Sequence, residues 1–430
     1  MLKLAVVGNP VFHSRSPEIF SFLKQQHSLN IHYNRISCEK ISEAIDFAGI
    51  MEMDGFNVTS PFKQLIIEHL EKLDYQATNL NAANTIVFKN KTKIGYNTDY
   101  FGILKTIWDN SISLNKKKVL ILGTGAAART AAFAIRNLNA IITIWDRSDE
   151  KSQKIANEFG INFSSTKEVI HTIADYDFII STIPPNSKIL TELNFTKQQI
   201  IFDTIYHHSF FVENQKKFGF KVIIGEKWLI NQASLSFEFF TNIKTEAKNI
   251  FHFFNNTAQR NSKNFIFTGF SGSGKTTLSK LCASNLGLNS FDLDDIIEEK
   301  TNLSIAEIFK KYGENYFREL ETQTLNELAQ NPSKNNFILS VGGGTLETQE
   351  NVQLLKSMGS VVWIYSPLEL AFERIKTIKS RPLINNLEET INLFNSRKYD
   401  YFNNSEYIFI NSSTIESAEE RLINEISRII

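Results

Sequence analysis

The stretch KKKVLILGTGAAA, residues 116–128, decides the fold of the middle of the chain. Its apolar run is typical of a buried strand, and the glycines allow a tight turn into an Ala-rich helix predicted over 126–138. A strand, a glycine turn and a helix in this order form the pyrophosphate-binding corner of a doubly wound sheet. The candidate dinucleotide-binding residues are Gly123, Thr124, Gly125, Ala126 and Ala127, with Ala128 in the third small position.

The segments that follow continue the alternation of strands and helices. A helix is predicted over 149–159 and another over 231–243. Further strands are predicted over 140–146, 177–182, 199–206 and 221–225. This order predicts an α/β fold with a doubly wound sheet.

Asp146 and Arg147 stand at the end of the strand predicted over 140–146 and point to different cofactors. A carboxylate at this place accepts the ribose 2′-hydroxyl of NAD, whereas an arginine favours the 2′-phosphate of NADP. Arg147 and Lys151 are predicted to lie one helical turn apart and to face the same phosphate. We expect NADP, with NAD as the alternative.

Four short stretches near the start of the chain combine hydroxyl and amide side chains with Gly or Pro. They are GNPVFHSRSP (8–17), NVTSPFK (57–63), NAANT (81–85) and GYNTDYFG (95–102). A buried polyhydroxylated ligand needs a hydrogen-bond partner for every hydroxyl, and such side chains supply them. Among these residues Lys63 and Asp99 are suited to proton transfer to a carbonyl oxygen.

In this order and spacing the four stretches resemble the shikimate dehydrogenase family, over about residues 1–255. The resemblance implies reduction of 3-dehydroshikimate with NADPH, and Lys63 and Asp99 as the catalytic pair. It also implies a set of shikimate-binding residues: Ser14, Ser16, Thr59, Asn84, Asp99, Tyr206 and Gln232.

The sequence departs from the family pattern at two places. Ala126 stands where the family usually has Gly, and Asp146-Arg147-Ser148 stands where NADP-using members have Asn-Arg-Thr. The second departure keeps NAD as an alternative. A preference for quinate is another, although the paired Ser14 and Ser16 favour shikimate.

The second glycine loop, GFSGSGKTT at 269–277, follows a strand predicted over 265–269. Its backbone N–H groups are expected to cradle phosphates, with Lys275 reaching the β- and γ-phosphates and the Thr276 hydroxyl binding Mg²⁺. The candidate ATP-binding residues are Gly269, Gly272, Ser273, Gly274, Thr276 and Thr277. Asp292 and Asp294 are predicted to end a strand on one face, one serving the metal and the other a substrate hydroxyl.

Together with YGENYFRELE (312–321), SVGGGTL (340–346), RPL and a late Arg-x-x-x-Tyr, this loop resembles the shikimate kinase family over about residues 262–430. The resemblance implies phosphorylation of shikimate by ATP with Mg²⁺, with Asp294 accepting the hydroxyl proton and Asp292 positioning the metal. Lys275 and Arg381 would be catalytic, Arg381 on a lid, and Arg374 would lie near the adenine. The implied shikimate-binding residues are Asp294, Arg318, Gly342, Gly343, Gly344 and Arg397.

Composition limits the remaining classes of function. Lys and Arg together number 46, as do Asp and Glu, so charge gives no sign of a nucleic-acid or membrane partner. Cys38 and Cys282 have no metal-like spacing and fit a reduced compartment, and the first residues lack a signal-peptide core. We expect a cytoplasmic monomer or homodimer acting on small molecules.

The predicted organisation follows from both resemblances. A substrate-binding domain (1–102 and 226–252) and a Rossmann domain (103–225) precede a polar linker, FFNNTAQRNSKN (253–264). A P-loop NTPase-type kinase domain with a parallel sheet and a lid occupies 265–430. The two implied reactions are consecutive. A degenerate half that only binds ligand, or a kinase for another small molecule, are the alternatives.

Overall fold

The structure, a computed structural model, describes residues 1–205, 209–256, 263–330, 335–376 and 387–430. The strands are β1 (Leu2–Gly8), β2 (Ile31–Ser37), β3 (Gly55–Val58), β4 (Lys72–Leu73), β5 (Thr85–Lys89), β6 (Thr92–Tyr96), β7 (Lys118–Leu122), β8 (Ile141–Trp145), β9 (Asn162–Phe163), β10 (Phe178–Ser181), β11 (Ile200–Asp203), β12 (Lys221–Ile223), β13 (Asn264–Thr268), β14 (Asn289–Asp292), β15 (Phe337–Ser340), β16 (Ser360–Tyr365) and β17 (Tyr407–Ile410).

Helices alternate with these strands along most of the chain. They are α1 (Ser16–Gln26), α2 (Ile41–Ile50), α3 (Tyr75–Leu80), α4 (Thr98–Asp109), α5 (Ala126–Ile135), α6 (Asp149–Phe159), α7 (Thr166–Thr172), α8 (Ile189–Glu192), α9 (Phe210–Phe218), α10 (Gly225–Thr241), α11 (Ala247–Asn256), α12 (Lys275–Leu286), α13 (Leu293–Thr301), α14 (Ile305–Ala329), α15 (Gln349–Met358), α16 (Leu368–Lys376), α17 (Leu387–Asn404) and α18 (Ile415–Ile426).

The chain divides into two compact units that do not follow chain order. The first unit combines residues 1–17 and 30–62 with the described part of 258–430. The second contains residues 18–29 and the described part of 63–257. Compactness therefore groups two N-terminal segments with the C-terminal region.

The second unit contains the predicted doubly wound sheet. Its strands lie in the order β12-β11-β10-β7-β8-β9 and pair in parallel throughout. Helix α5 packs closely because its inward face is made of small residues, with Ala128, Ala131 and Ala132 fully buried. In the same unit, the antiparallel pair β5–β6 and the long contact between α4 and α10 carry the polar motifs. The α/β fold and the Rossmann order are thus confirmed.

The first unit contains a parallel sheet in the order β14-β15-β13-β16-β17-β2-β1-β3. Strands β13 to β17 belong to the predicted kinase region, and β1 to β3 belong to the predicted dehydrogenase region. They join where Tyr407, Ile408 and Phe409 of β17 pair with β2. One hydrophobic core continues across this junction, and its members include Val6, Val11, Phe12, Phe265, Phe267, Leu422 and Ile426.

Several expectations about local structure are corrected. Residues 253–256 of the predicted linker belong to α11, because Ile250 and Phe254 are buried four residues apart on one helix face. Asn264 already opens β13, and residues 257–262 lie outside the described part of the chain. The helix expected over 231–243 begins earlier, at Gly225.

Two further corrections concern charged residues, one pair near the second glycine loop and the other after β8. Asp292 ends β14, but Asp294 lies in the first turn of α13, so the two residues are not on one face of a strand. Arg147 precedes Ser148, which caps α6, so Arg147 and Lys151 are not successive positions of one helix. Within the described residues no helix combines the length and the hydrophobicity required to cross a membrane.

Candidate active sites

Lys63 and Asp99 form a shielded ion pair in the second unit. Lys63 Nζ lies 2.7 Å from Asp99 Oδ2, and their side chains are 19% and 7% exposed. Asp99 stands in the first turn of α4, whose backbone dipole stabilises a carboxylate, and Asn97 caps that turn by accepting a hydrogen bond from Tyr100 N. A lysine held in this way is oriented by a fixed carboxylate. The pair is therefore able to donate a proton to a carbonyl oxygen.

A buried network of amides and hydroxyls lies in the same unit. Asn84 Nδ2 donates to Thr98 Oγ1 at 2.9 Å and to Gln232 Oε1 at 3.2 Å, and Thr98 N donates to Asn84 Oδ1 at 2.8 Å. Thr85 Oγ1 and Ser236 Oγ, 2.7 Å apart, extend it. The predicted Asn84 and Gln232 are thus brought together, since hydrogen bonds link them directly.

Gly102 explains how α10 comes near enough to join this network. A Cβ at Gly102 would lie 2.8 Å from Trp228 Cδ1 and 2.9 Å from Gln232 Cβ, so a side chain there would push the two helices apart. Trp228 Nε1 also donates to the carbonyl oxygen of Asp99 at 3.1 Å. The glycine at the end of GYNTDYFG therefore has a packing role that holds Gln232 beside Asn84.

Ser14, Ser16 and Thr59 belong to the first unit. Ser14 N donates to Val11 O at 2.9 Å, which makes a turn that leads into α1, and Ser14 Oγ lies 3.4 Å from Ser16 Oγ. Thr59 packs against Gly8, where an added Cβ would overlap the Thr59 methyl group. The predicted loops 8–17 and 57–63 are therefore neighbours within this unit up to Phe62.

The first glycine loop makes a tight turn from β7 into α5. Gly123 has φ +108°, and a Cβ there would overlap Thr182 Oγ1. Gly125 precedes the first residue of α5, and a Cβ there would meet open space. The first-turn N–H groups of α5, around Ala126 and Ala127, thus face a free volume at a positive helix end. These features fit a pyrophosphate group.

Asp146 and Arg147 have different surroundings. Asp146 Oδ2 accepts a hydrogen bond from Thr124 Oγ1 at 2.9 Å, and its Oδ1 accepts one from Ser148 N at 3.1 Å. Arg147 is exposed. Asp146 thus ties the glycine loop to the start of α6, a role that sequence reasoning missed, while Arg147 has its guanidinium at the surface.

The second glycine loop joins β13 to α12 and is shaped by close packing. Gly272 (φ +74°) and Gly274 (φ +93°) adopt left-handed conformations, and a Cβ at Gly272 would overlap Ala371 O. Lys275 Nζ donates to the carbonyl oxygens of Gly269 and Phe270 at 2.7 and 2.9 Å. The lysine thus lies inside the cradle that phosphates would occupy. Ser273 is buried and Thr277 is exposed on the first turn of α12.

Thr276 and Asp292 meet at the metal position predicted from the sequence. Thr276 Oγ1 donates to Asp292 Oδ2 at 2.8 Å, and Asp292 Oδ1 accepts from Asp294 N at 3.1 Å. A hydroxyl and a carboxylate beside a phosphate loop are hard oxygen ligands and fit Mg²⁺. No cluster of three or more His, Cys, Asp or Glu side chains that suits a metal occurs in the described part of the chain.

Charged residues and the glycine triplet form a second polar site in the first unit. Arg318 makes ion pairs with Glu321 at 2.5 Å and Glu314 at 2.9 Å. Its guanidinium lies against Gly344, where a Cβ would overlap Nη2. A Cβ at Gly342 would lie 3.7 Å from Asp294 Oδ1, so Asp294 borders the same triplet.

The other side of the triplet contacts α17. Tyr401 Oη donates to Gly343 O at 2.5 Å, and burial raises the pKa of the Tyr401 phenol, which keeps it a donor. Arg397 forms an ion pair with Glu347 and has Nη1 3.7 Å from where a Cβ at Gly343 would lie. Two arginines, each paired with glutamate, and the carboxylate of Asp294 thus border a loop without side chains. Guanidinium groups and a carboxylate beside an open loop fit a small ligand with a carboxylate and hydroxyls.

Several predicted residues remain to be placed. Arg374 lies beside the phosphate loop, with Nη1 3.4 Å from Gly272 O, and burial lowers the pKa of its guanidinium. Tyr206 and Arg381 lie outside the described residues, as do residues 377–385 of the lid predicted over 374–385. Sequence reasoning also missed three residues that make hydrogen bonds in the first unit: Glu321, Glu347 and Asn411. Glu321 stands inside the quoted stretch YGENYFRELE.

Comparison with known proteins identifies the same two families along the chain. The family model described as "Shikimate dehydrogenase substrate binding domain" matches residues 6–86, and "Shikimate / quinate 5-dehydrogenase" matches residues 105–204. The model "Shikimate kinase" matches residues 271–429. The chain is 30% identical over 259 residues to a protein named shikimate dehydrogenase (NADP(+)) from Methanococcus maripaludis, an alignment that covers 56% of this chain and 93% of that protein.

Solved structures show the same fold for the dehydrogenase portion. The shikimate dehydrogenase from Aquifex aeolicus is 27% identical with a TM-score of 0.55, covering 60% of this chain and 98% of that one. The shikimate 5-dehydrogenase from Thermus thermophilus, solved in complex with NADP(H) and shikimate, is 25% identical with a TM-score of 0.54, covering 59% and 98%. The chain therefore belongs to the shikimate dehydrogenase family, and it joins this dehydrogenase to a shikimate kinase domain in one polypeptide.

Proposed function

We propose that the chain catalyses two consecutive reactions of the shikimate pathway. It reduces 3-dehydroshikimate to shikimate with NADPH and then phosphorylates the 3-hydroxyl of shikimate with MgATP. The observation that carries this proposal is the Lys63–Asp99 ion pair in a dehydrogenase fold, together with a phosphate loop and an arginine-lined glycine triplet in the same chain.

In the first reaction Lys63 acts as the general acid. NADPH supplies the hydride when it is bound at the loop of Gly123, Thr124, Gly125, Ala126 and Ala127. Lys63 Nζ gives a proton to the carbonyl oxygen that becomes the hydroxyl, and Asp99 holds the Lys63 side chain in place and accepts a hydrogen bond from a substrate hydroxyl. Orientation by the fixed carboxylate reduces the entropy that the proton transfer must overcome.

The remaining shikimate contacts are assigned by the family resemblance. Ser14, Ser16 and Thr59 bind the carboxylate and hydroxyls, and Asn84, Tyr206 and Gln232 complete the cleft. Asn84 and Gln232 are suited to this because their partners hold each amide in one orientation.

In the second reaction Asp294 accepts the proton of the attacking hydroxyl. MgATP supplies the phosphoryl group when it is bound at the phosphate loop, where Thr276 and Asp292 would hold the metal. Lys275 moves from the Gly269 and Phe270 carbonyls to the phosphates. Charge developing on the transferred group is then neutralised by Lys275 and by Arg381.

Arg318, Arg397 and the backbone of Gly342, Gly343 and Gly344 hold shikimate for this transfer. Both arginines are already paired with carboxylates, so they are oriented before the ligand arrives. The contact of Arg374 with Gly272 O of the phosphate loop supports its assignment near the adenine.

Functional boundaries, cofactor preference and cellular context are also assigned. Substrate binding uses residues 1–102 and 226–252, dinucleotide binding uses 103–225, and phosphoryl transfer uses 265–430. The exposed Arg147 supports NADPH over NADH. The free, buried Cys38 and Cys282 support the cytoplasm, and we propose a monomer or homodimer with no nucleic-acid partner.

A single incubation tests the proposal. Purified protein is mixed with 3-dehydroshikimate, MgATP and either NADPH or NADH, and mass spectrometry follows shikimate and its 3-phosphate. Phosphorylated product with NADPH is the expected result. Shikimate without phosphate would reject the kinase half, and added shikimate that is phosphorylated while 3-dehydroshikimate stays unchanged would reject the dehydrogenase half.

Two variants separate the activities within one protein. Lys63→Met is expected to lower the dehydrogenase kcat by about 10²- to 10⁴-fold and to leave the kinase unchanged, because it removes the general acid. Lys275→Met is expected to do the reverse, since it removes the lysine that serves the phosphates. Full dehydrogenase activity in Lys63→Met would show that another group donates the proton.

A further inference from the structure

The loop that carries Ser14 is held by the last helix of the chain. The carboxylate of Glu425 on α18 accepts hydrogen bonds from Val11 N at 3.0 and 2.8 Å and from Phe12 N at 2.8 Å. All of these residues lie in the first compact unit. Glu425 is 0% exposed, so these bonds are made away from water, where they are strong and where their loss is costly.

The apolar side of the same loop is inserted into the core of the kinase region. Val11 and Phe12 are fully buried, and the Phe12 ring lies 4.6 Å from the ring of Tyr407 on β17. The same core contains Leu422 and Ile426 of α18, which flank Glu425 in the chain. Hydrogen bonds from α18 and apolar contacts with α18 and β17 thus hold Val11 and Phe12 in place.

A second contact reaches Ser14 itself. Arg35 Nε donates to Ser14 O at 2.8 Å, and the Arg35 guanidinium lies over the Tyr407 ring with 5.1 Å to its centroid. Arg35 N also donates to Glu406 O at 3.3 Å across the β17–β2 junction. The carbonyl of Ser14 is therefore held by an arginine that rests on a residue of the kinase sheet.

These contacts join the end of the chain to residues near its beginning. Ser14 N is bonded to Val11 O, so the position of Val11 determines where the Ser14 turn lies. Burial raises the pKa of Glu425, which is the cost of holding a carboxyl group in this core. An apolar residue would avoid that cost but would leave the Val11 and Phe12 amides without an acceptor.

We propose that Glu425, although it lies in the kinase region, is a positioning residue for the dehydrogenase, because it holds the loop that presents Ser14 and Ser16 to shikimate. This inference rests on the proposed shikimate contacts of Ser14 and Ser16. The kinase region then has two roles. It catalyses its own reaction, and it holds a loop of the dehydrogenase substrate site.

The test compares variants of the full chain in two separate assays. Shikimate oxidation with NADP⁺ and no ATP reports the dehydrogenase, and shikimate phosphorylation with MgATP and no NADP⁺ reports the kinase. In Glu425→Ala the dehydrogenase KM for shikimate is expected to rise about tenfold or more with kcat within about twofold, since binding and not chemistry is affected. The kinase KM for shikimate and kcat are expected to stay at the wild-type values.

Two further variants control for composition and charge. Glu420→Ala alters an exposed glutamate of the same helix and is expected to change neither KM. Glu425→Gln keeps an oxygen that accepts from both amides but loses the charge, so an increase in KM of about threefold is expected.

A double-variant cycle with Ser14→Ala distinguishes positioning from general stability. If Glu425 acts through Ser14, substitution of Glu425 changes the dehydrogenase KM little once Ser14 has been replaced. The two effects on KM are then not multiplicative. Should Glu425→Ala fail to fold, the cycle is run with Glu425→Gln, whose threefold effect must likewise shrink.

The outcomes separate this inference from the proposed function. An unchanged dehydrogenase KM in a folded Glu425 variant, a parallel loss of kinase activity, or multiplicative effects with Ser14→Ala would each overturn the positioning role. A Ser14→Ala variant with the wild-type KM would instead reject the assignment of Ser14 to shikimate, and a wild-type chain that does not oxidise shikimate would reject the proposed dehydrogenase.

Discussion

Asp146 shows how one side chain can support two interpretations in a sequence. Its position after β8 suggested a ribose contact, whereas its carboxylate is bonded to Thr124 Oγ1 and Ser148 N. Both partners are donors, so the carboxylate is used to join the glycine loop to the next helix. Arg147, one residue on, is exposed and remains the candidate for a 2′-phosphate. The preference for NADPH or NADH then depends on the balance between the negative charge of Asp146 and the positive charge of Arg147.

Asp146→Asn is expected to raise the ratio of kcat/KM for NADPH to that for NADH by about tenfold, equal to about 1.4 kcal/mol. Asparagine can accept from Ser148 N and donate to Thr124 Oγ1, so the loop is preserved while a charge that repels phosphate is removed. Steady-state rates with both cofactors measure the ratio.

Asp149→Asn, on the first turn of α6, provides the matched removal of charge and is expected to shift the ratio less. Arg147→Ala is expected to shift it toward NADH. A shift toward NADH in Asp146→Asn would contradict the charge argument.

The glycine triplet after β15 illustrates the scale of a structural element. Its lack of side chains lets Arg318 lie against Gly344, lets Tyr401 reach the carbonyl of Gly343 and leaves Asp294 near Gly342. The triplet thus brings α13, α14 and α17 to one loop. Each contact partner comes from a different helix, so the triplet acts as a shared surface for these elements.

Gly344→Ala is expected to raise the kinase KM for shikimate by about tenfold or more, because its methyl group would displace the Arg318 guanidinium. Gly344 has φ −103°, so alanine adds no backbone strain, and the protein should remain folded. Kinase kinetics at saturating ATP measure the effect.

Gly49→Ala is the matched control, since a Cβ there meets no atom within 4 Å. The dehydrogenase KM for the same substrate should not change in either variant. An unchanged kinase KM in Gly344→Ala would show that Arg318 does not bind shikimate.

The end of β11 gives a pH-dependent prediction at the same scale. Burial raises the pKa of Asp203 to about 6, although Ser209 Oγ donates to it at 2.5 Å. The folded chain therefore keeps a proton on Asp203 between about pH 4 and 6, where the unfolded chain has lost it. Stability from this group is present at low pH and is lost as the pH rises through 6.

Asp203→Asn should remove this dependence. The free energy of unfolding of the variant minus that of wild type is expected to be about 1 kcal/mol more positive at pH 7 than at pH 5. Urea unfolding at both pH values, followed by tryptophan fluorescence, gives the difference, and Trp145 of the same sheet contributes to the signal. The exposed Asp175→Asn should show an equal effect at both pH values. A relative loss of stability at pH 7 in Asp203→Asn would reverse the sign and reject the argument.

At the scale of the whole molecule, two predicted enzymes share one sheet and one core in the first unit. Strand β17 of the kinase region pairs with β2 of the dehydrogenase region, so neither strand presents an open edge there. Phe47 packs against Trp363 and Tyr365, and Asn34 Nδ2 donates to Phe402 O and Ser405 O at 3.1 and 2.8 Å. Stability of the kinase region should therefore depend on residues of the dehydrogenase region.

Asn34→Ala is expected to lower the free energy of unfolding of this unit by about 1–3 kcal/mol, since it leaves buried carbonyl oxygens at the end of α17 without a donor. Asn34 is 0% exposed. The measurement is thermal inactivation of the kinase, which should occur at a lower temperature. Asn110→Ala, in the second unit, is the control and should leave that temperature unchanged. An unchanged temperature in Asn34→Ala as well would mean that the two regions are energetically independent.

The prediction of the fold followed from short-range patterns. The parallel order of the Rossmann sheet and the strand that precedes each glycine loop were predictable because apolar runs, turns and Ala-rich helices lie next to one another in the chain. The position of Asp294 was not, since a two-residue spacing fits one strand face until the helix start at Leu293 is known. The helical residues 253–256 were missed because their apolar partners, such as Phe22 for Phe253, are distant in sequence.

The sequence by itself determined both chemistries, because the groups proposed to act on a substrate stand in contiguous stretches such as NVTSPFK, GYNTDYFG and GFSGSGKTT. Only the tertiary structure decided which groups support them. Glu425 is 413 residues from Phe12, and the β17–β2 pairing has no local signal, since any strand edge offers the same backbone donors and acceptors. Burial and packing select those partners, and these depend on the folded chain as a whole.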